Sequence, residues 1–110
     1  MIKRLDIKNW NTSDRIMNWS YYKDLRIAMP MVDNGRFGGG YQYVFVDKDN
    51  APKLTIHISR IPNANRRYSI RGRTMDGTYS NIHSMSYHLI SNAVQVRYTF
   101  NEIINELCSK

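Results

Sequence analysis

Lys53-Leu54-Thr55-Ile56-His57-Ile58-Ser59-Arg60 and, after Pro62-Asn63-Ala64-Asn65, Arg66-Arg67-Tyr68-Ser69-Ile70-Arg71-Gly72-Arg73-Thr74 decide how this chain is read. Apolar and polar residues alternate from Lys53 to Ser59 and from Arg67 to Arg71, the period of a half-buried β-strand. Leu54, Ile56, Ile58, Tyr68 and Ile70 share one face. Thr55, His57, Ser59, Arg67, Ser69, Arg71 and Arg73 share the other, with Arg60 and Arg66 at the tip of the hairpin. Either register of antiparallel pairing keeps even-numbered residues on the apolar side.

The polar face is also where the charge lies. Between Asn50 and Met75 there are six cations (Lys53, Arg60, Arg66, Arg67, Arg71 and Arg73) and no carboxylate. The whole chain carries 16 Lys+Arg against 9 Asp+Glu, a net charge of +7, so the rest of the molecule is close to neutral. A charge confined to one stretch makes a local field suited to a polyanionic partner. Arginine outnumbers lysine ten to six, and a guanidinium binds phosphate as a two-pronged fork and stacks on bases. A ribbon of this kind fits the major groove, ~12 Å wide, or lies along a single strand. Four to six neutralised phosphates give a log K against log salt slope of roughly −4 to −5 on duplex DNA.

Outward from the hairpin, Tyr41–Asp47 is a further strand, joined through the turn Asp47-Lys48-Asp49-Asn50-Ala51-Pro52. Met75-Asp76-Gly77 makes another turn. Asn11-Thr12-Ser13-Asp14 offers helix caps, and Ile16, Trp19 and Lys23 with Met17, Tyr21 and Leu25 predict a helix from about Asp14 to Ile27, stopped by Pro30. Ile82, Met85, Leu89, Ile90 and Ala93 predict a second helix over Ser80–Asn92. Val94–Tyr98 reads as a short strand, and Thr99 with Glu102 as a capping box opening a last helix that buries Ile103, Ile104 and Leu107. Ile2–Lys8 reads as a short edge strand. The expected fold is one α+β domain over residues 1–110: an N-terminal helix, a three-stranded antiparallel meander, and one or two C-terminal helices on its apolar face.

In element order this resembles a double-stranded-RNA-binding domain across roughly residues 13–92. That family places lysines at the start of its second helix. The matching stretch Gly77–Ser84 has none, and the charge sits in the strands. A three-stranded sheet followed by a helix also resembles the sheet-in-groove DNA readers of integrase arms and plant-type factors, which suits the charge placement better.

Other motifs carry less. Gly35-Arg36-Phe37-Gly38-Gly39-Gly40 leads into a strand, whereas a phosphate loop needs Gly-Lys-Ser/Thr leading into a helix, so a flexible loop is expected, with Arg36 free to add a phosphate contact. His57, His83 and His88 are scattered without metal-ligand spacing, and neither metal nor cofactor is expected. The aromatics Trp10, Trp19, Tyr21, Tyr22, Tyr41 and Tyr43 read mainly as core, Tyr41 and Tyr43 being the two to test as an exposed stacking surface. The lone Cys108 excludes an intramolecular disulfide and suits a reducing, cytoplasmic setting. No apolar run approaches the ~18 residues of a membrane span. Eleven Asn, twelve Ile and only two Glu fit an A+T-rich coding sequence, as in phages and plasmids.

The expected function is binding of nucleic acid through Lys53, His57, Arg60, Arg66, Arg67, Ser69, Arg71 and Arg73, with Arg36, and no enzymatic activity. One alternative is a phage-type inhibitor whose arginines dock on the acidic surface of a host nucleic-acid enzyme such as a defence nuclease. A second is a small metal-independent ribonuclease with His57 as general base beside Arg71. Homodimerisation through an edge strand is open to either of the binding proteins.

Overall fold

The computed structural model describes residues 3–4, 19–33, 40–60, 68–86 and 93–108. They form an antiparallel sheet in which every strand pairs with its neighbours in sequence: β1 (Lys3–Arg4), β2 (Arg26–Asp33), β3 (Gly40–Val46), β4 (Pro52–Arg60), β5 (Tyr68–Thr74) and β6 (Tyr79–Ser86). β1 is a two-residue edge; the other five are full strands. Among the described residues one α-helix, α1 (Ala93–Cys108), lies across one face. The fold is α+β.

The strand alternation holds. β4 and β5 pair with Ile58 opposite Ile70, His57 opposite Arg71 and Thr55 opposite Arg73. Leu54, Ile56, Ile58 and Ile70 are fully buried under α1, together with Tyr43 and Phe45 of β3. From the helix come Val96, Phe100, Ile103 and Ile104, which the 3.6-residue period brings onto one stripe. Phe100 is the hub, with ring centroids 5.6 Å from Tyr43, 5.8 Å from Phe45 and 5.9 Å from Tyr21. Each such fully buried side chain contributes about 1.5–3 kcal/mol.

Several expectations are corrected. The helix expected over 14–27 is not present in its described part. There the chain makes a short turn at Tyr22–Asp24, with Lys23 and Asp24 at φ 65 and 56°, and enters β2 at Arg26; residues 14–18 lie outside the described residues. Pro30, expected to end the helix, sits instead where β2 shifts register between Ile27 and Pro30. A bulge is where a strand tolerates a residue that lacks an N–H. The helix expected over 80–92 is strand β6 across its described part. The bare edge of β5 needs a hydrogen-bonding partner, the Thr74–Thr78 turn returns the chain alongside it, and Ser80, Asn81, His83, Ser84 and Ser86 have little helix preference of their own. Val94–Tyr98 is not a strand but the first turns of α1. Thr99 is therefore mid-helix rather than a cap, its hydroxyl donating to the Gln95 carbonyl at 3.0 Å. The meander thus has five full strands rather than three, and neither resemblance in element order stands.

Two tight turns repeat one design. Asp47 to Ala51 closes with Asn50 N–H donating to the Asp47 carbonyl and Asp47 N–H to the Ala51 carbonyl, Asn50 being left-handed at φ 63°. Thr74 to Thr78 closes in the same way, with Gly77 at φ 95°. This is the type I turn with a left-handed fourth residue that follows the sheet's twist. The Asp47 carboxylate accepts from Ala51 and Asp49 N–H; the Asp76 carboxylate accepts from the Thr74 hydroxyl and from the N–H and hydroxyl of Thr78.

α1 is tied down at both ends of the sheet. Asn101 Oδ1 accepts the Tyr22 N–H at 2.7 Å. At the opposite edge, Gly72 of β5 faces three residues of β6, Ser80 to Ile82, because the register shifts between Arg71–His83 and Arg73–Tyr79. The Glu106 carboxylate fills this bulge, accepting from the Ser80 hydroxyl at 2.5 Å, Asn81 N–H at 2.9 Å and Ile82 N–H at 3.2 Å. One turn earlier, Ile103 packs onto Gly72, where an added Cβ would come within 2.4 Å of the Ile103 Cγ2.

Gly72→Val is therefore expected to destabilise the fold, by roughly 1–3 kcal/mol or more for overpacking at a site with no room to relax, read from the denaturant midpoint. The turns set an acid limit. Backbone and hydroxyl donors hold both aspartates below the ordinary carboxylate pKa: for Asp47 chiefly the Ala51 N–H, for Asp76 chiefly the Thr74 hydroxyl. A depressed folded-state pKa gives stability that is present above the unfolded value, about 3.9, and is lost as pH falls through the folded value. Melting temperature should drop below about pH 4, and Asp47→Asn with Asp76→Asn should flatten that drop.

Candidate nucleic-acid interface

The sheet face turned away from α1 collects the odd-numbered residues of β4 and β5. Cross-strand pairing places them in rungs: Gly40–Ser59–Ser69, Gln42–His57–Arg71 and Val44–Thr55–Arg73–Tyr79, with His83 opposite Arg71 in the ladder. A pocket of about 460 Å³ opens on this face, within the size range of small-ligand sites. Gln42, Thr55, His57, Ser59, Ser69, Arg71, Arg73 and Tyr79 line it with the backbone of Gly72. None of these is a carboxylate.

Depth orders the lining. Thr55 forms the floor at 6 % exposure; Gln42, His57, Ser59 and Ser69 are half-buried; Arg71, Arg73 and Tyr79 stand exposed at the rim. The Ser59 hydroxyl and His57 Nδ1 are hydrogen-bonded at 2.8 Å, which orients the ring along the strand. Hydroxyls, an imidazole and guanidinium groups are the side chains that bind phosphate oxygens.

Of the residues expected from sequence, His57, Ser69, Arg71 and Arg73 meet here. Lys53 does not line the pocket. Its ammonium pairs with Asp47 at 3.5 Å, and it acts with Lys23 on Cys108, lowering a thiol pKa that burial raises more strongly. The two lysines thus bring positive charge to the C-terminal end of α1, whose own last turn has no basic residue. Arg60 is the last residue of β4, opposite Tyr68. Arg36, Arg66 and Arg67 lie outside the described residues. Of the six aromatics read from sequence, Tyr21 and Tyr43 are buried, so Tyr43 is not a stacking surface; Trp19 is half-buried with the Arg97 guanidinium 5.2 Å from its ring centroid, and Tyr22 is exposed. Trp10 and the side chain of Tyr41 lie outside the described residues. Burial pushes the Tyr21 phenol far above its ordinary pKa, with the Arg97 charge opposing.

Sequence reasoning passed over Gln42 and Tyr79 as site residues. Gln42 falls opposite His57 only through the register shift between Val46–Pro52 and Phe45–Leu54; counting from the Asp47–Ala51 turn alone sets it opposite Ile56. Tyr79 falls opposite Arg73 once β6 is recognised as a strand.

No family model, curated protein or solved structure matches this chain. Among the described residues no helix is long and apolar enough to cross a membrane, and no three His, Cys, Asp or Glu side chains gather as a metal site.

Proposed function

We propose that this protein binds nucleic acid through the polar face of β4 and β5, gripping phosphate with Arg71 and Arg73. The observation that carries this reading is the pair of exposed arginines above Ser59, Ser69, Thr55 and His57, in a pocket whose lining has no acid. Three carboxylates of the described residues are engaged elsewhere: Asp47 and Asp76 in turns, Glu106 in the β6 bulge. Nothing among the lining residues therefore neutralises the arginines, and the field at the pocket stays positive. Arg60, Arg66 and Arg67, on or next to the same two strands in the sequence, extend the basic stretch.

Affinity for DNA and RNA oligonucleotides at about 50 mM salt tests the reading. Charged hydrogen bonds of about 1.5–3 kcal/mol each imply a loss of about tenfold or more for Arg71→Ala and for Arg73→Ala, and a larger loss when Arg67→Ala is added. Binding that is absent, or unchanged in the triple variant, overturns it.

The Ser59–His57 hydrogen bond supports a second reading, a metal-independent ribonuclease in which His57 acts as general base and Arg71 stabilises the phosphorane charge. Cleavage of RNA that is abolished by His57→Ala, with binding retained, supports that reading. No cleavage, or undiminished cleavage in the variant, rules it out.

A further inference from the structure

We infer that the nucleic acid this face takes is single-stranded, with one nucleotide entering the pocket, its base against the Tyr79 ring and its flanking phosphates on Arg71 and Arg73. The inference rests on the nucleic-acid reading above and deepens it.

Depth is the argument. A ribbon that reads a duplex carries its contacting groups outermost, where they reach into the groove. Here the order is inverted. The Thr55 hydroxyl lies at the floor, His57, Ser59 and Ser69 are half-buried, and only Arg71, Arg73 and Tyr79 stand proud. A duplex resting on the rim touches the arginines and leaves the recessed donors and acceptors without a nucleic-acid contact. A strand one nucleotide thick reaches both layers, and the pocket's volume of about 460 Å³ admits a unit of that size.

The rim has the two chemistries that a single strand needs. Arg71 and Arg73 are two residues apart on β5, about 6.6–6.8 Å along an extended strand; that spacing suits successive phosphates. Tyr79 lies directly opposite Arg73 in the ladder and is 57 % exposed, an aromatic ring held beside a phosphate-binding group. Stacking on such a ring accepts any base, because every base has a π-face. The sheet fixes all three residues in place, so their spacing is preset before the ligand arrives.

Fluorescence anisotropy of labelled dT12 and rU12, against a hairpin duplex of equal strand length, tests this. Expected are tighter binding of the single strands than of the duplex at equal salt, and a log–log salt slope of roughly −1.4 to −2 for two or three phosphates at about −0.7 each. Tyr79→Leu should weaken single-strand binding by roughly tenfold, the scale of one lost stacking contact, and Tyr79→Phe should stay within about twofold of the native chain. Either preference between dT12 and rU12 supports the inference. Duplex binding as tight as single-strand binding overturns it, as does Tyr79→Leu binding within twofold of native while Arg71→Ala still weakens binding. In both cases the broader nucleic-acid reading stands. If none of the three oligonucleotides binds, that reading falls together with the inference.

Discussion

The molecule depends on one helix covering one face of a meander. Ile27 of β2, Tyr43 and Phe45 of β3, Leu54, Ile56 and Ile58 of β4 and Ile70 of β5 share one apolar face, and α1 supplies Val96, Phe100, Ile103 and Ile104 to close it. Neither partner is self-sufficient. A 16-residue helix with no acidic residue in its first turn and no basic one in its last has little to hold it together in water. An antiparallel sheet of nearest neighbours forms from local hairpins, but its apolar face stays wet until the helix docks. The polar ties, Asn101 to Tyr22 and Glu106 to the β6 bulge, fix where along the sheet the helix lands. Burial supplies the affinity of helix for sheet, and these hydrogen bonds supply the register.

Residue parity was the most legible property of the chain. Alternation across Lys53–Arg60 and Tyr68–Thr74 assigns each side chain to a face, and one constraint, that paired residues share a face, carries the assignment from β4 to β5 without knowledge of the register. The core residues and the cluster of His57, Ser69, Arg71 and Arg73 follow from it. The turns at Asp47–Ala51 and Thr74–Thr78 were equally legible, because Asn50 and Gly77 are the residue types that accept a left-handed backbone.

What misled was apolar spacing in segments whose structure is set by distant partners. Ile82, Met85 and Leu89 fit a helical stripe, yet Tyr79–Ser86 satisfies the open edge of β5, and that demand outweighs local pattern. Tyr21 and Leu25 also fit a helix. Both are buried in the core, Tyr21 edge-on to Phe45 at 5.1 Å, and they come from a turn and the approach to a strand. Val94–Tyr98 alternates like a strand but belongs to a helix whose stripe continues through Ile104. Because β6 was hidden, Tyr79 was hidden with it. That Lys53 stands apart from the pocket was hidden for a related reason: a charge count sees sign and position in the sequence, but not that the ammonium lies 3.5 Å from Asp47.

At Gly72 the partition between the hydrophobic interior and the polar cleft is a single peptide unit. Ile103 presses on it from one side, and its backbone lines the cleft on the other. An amide here senses both compartments at once, so the backbone resonance of Gly72 is a natural reporter: occupancy of the cleft and repacking of the interior would both register on the same nucleus. The membrane-thin spot that lets the helix approach is also where the two faces of the protein are in closest communication.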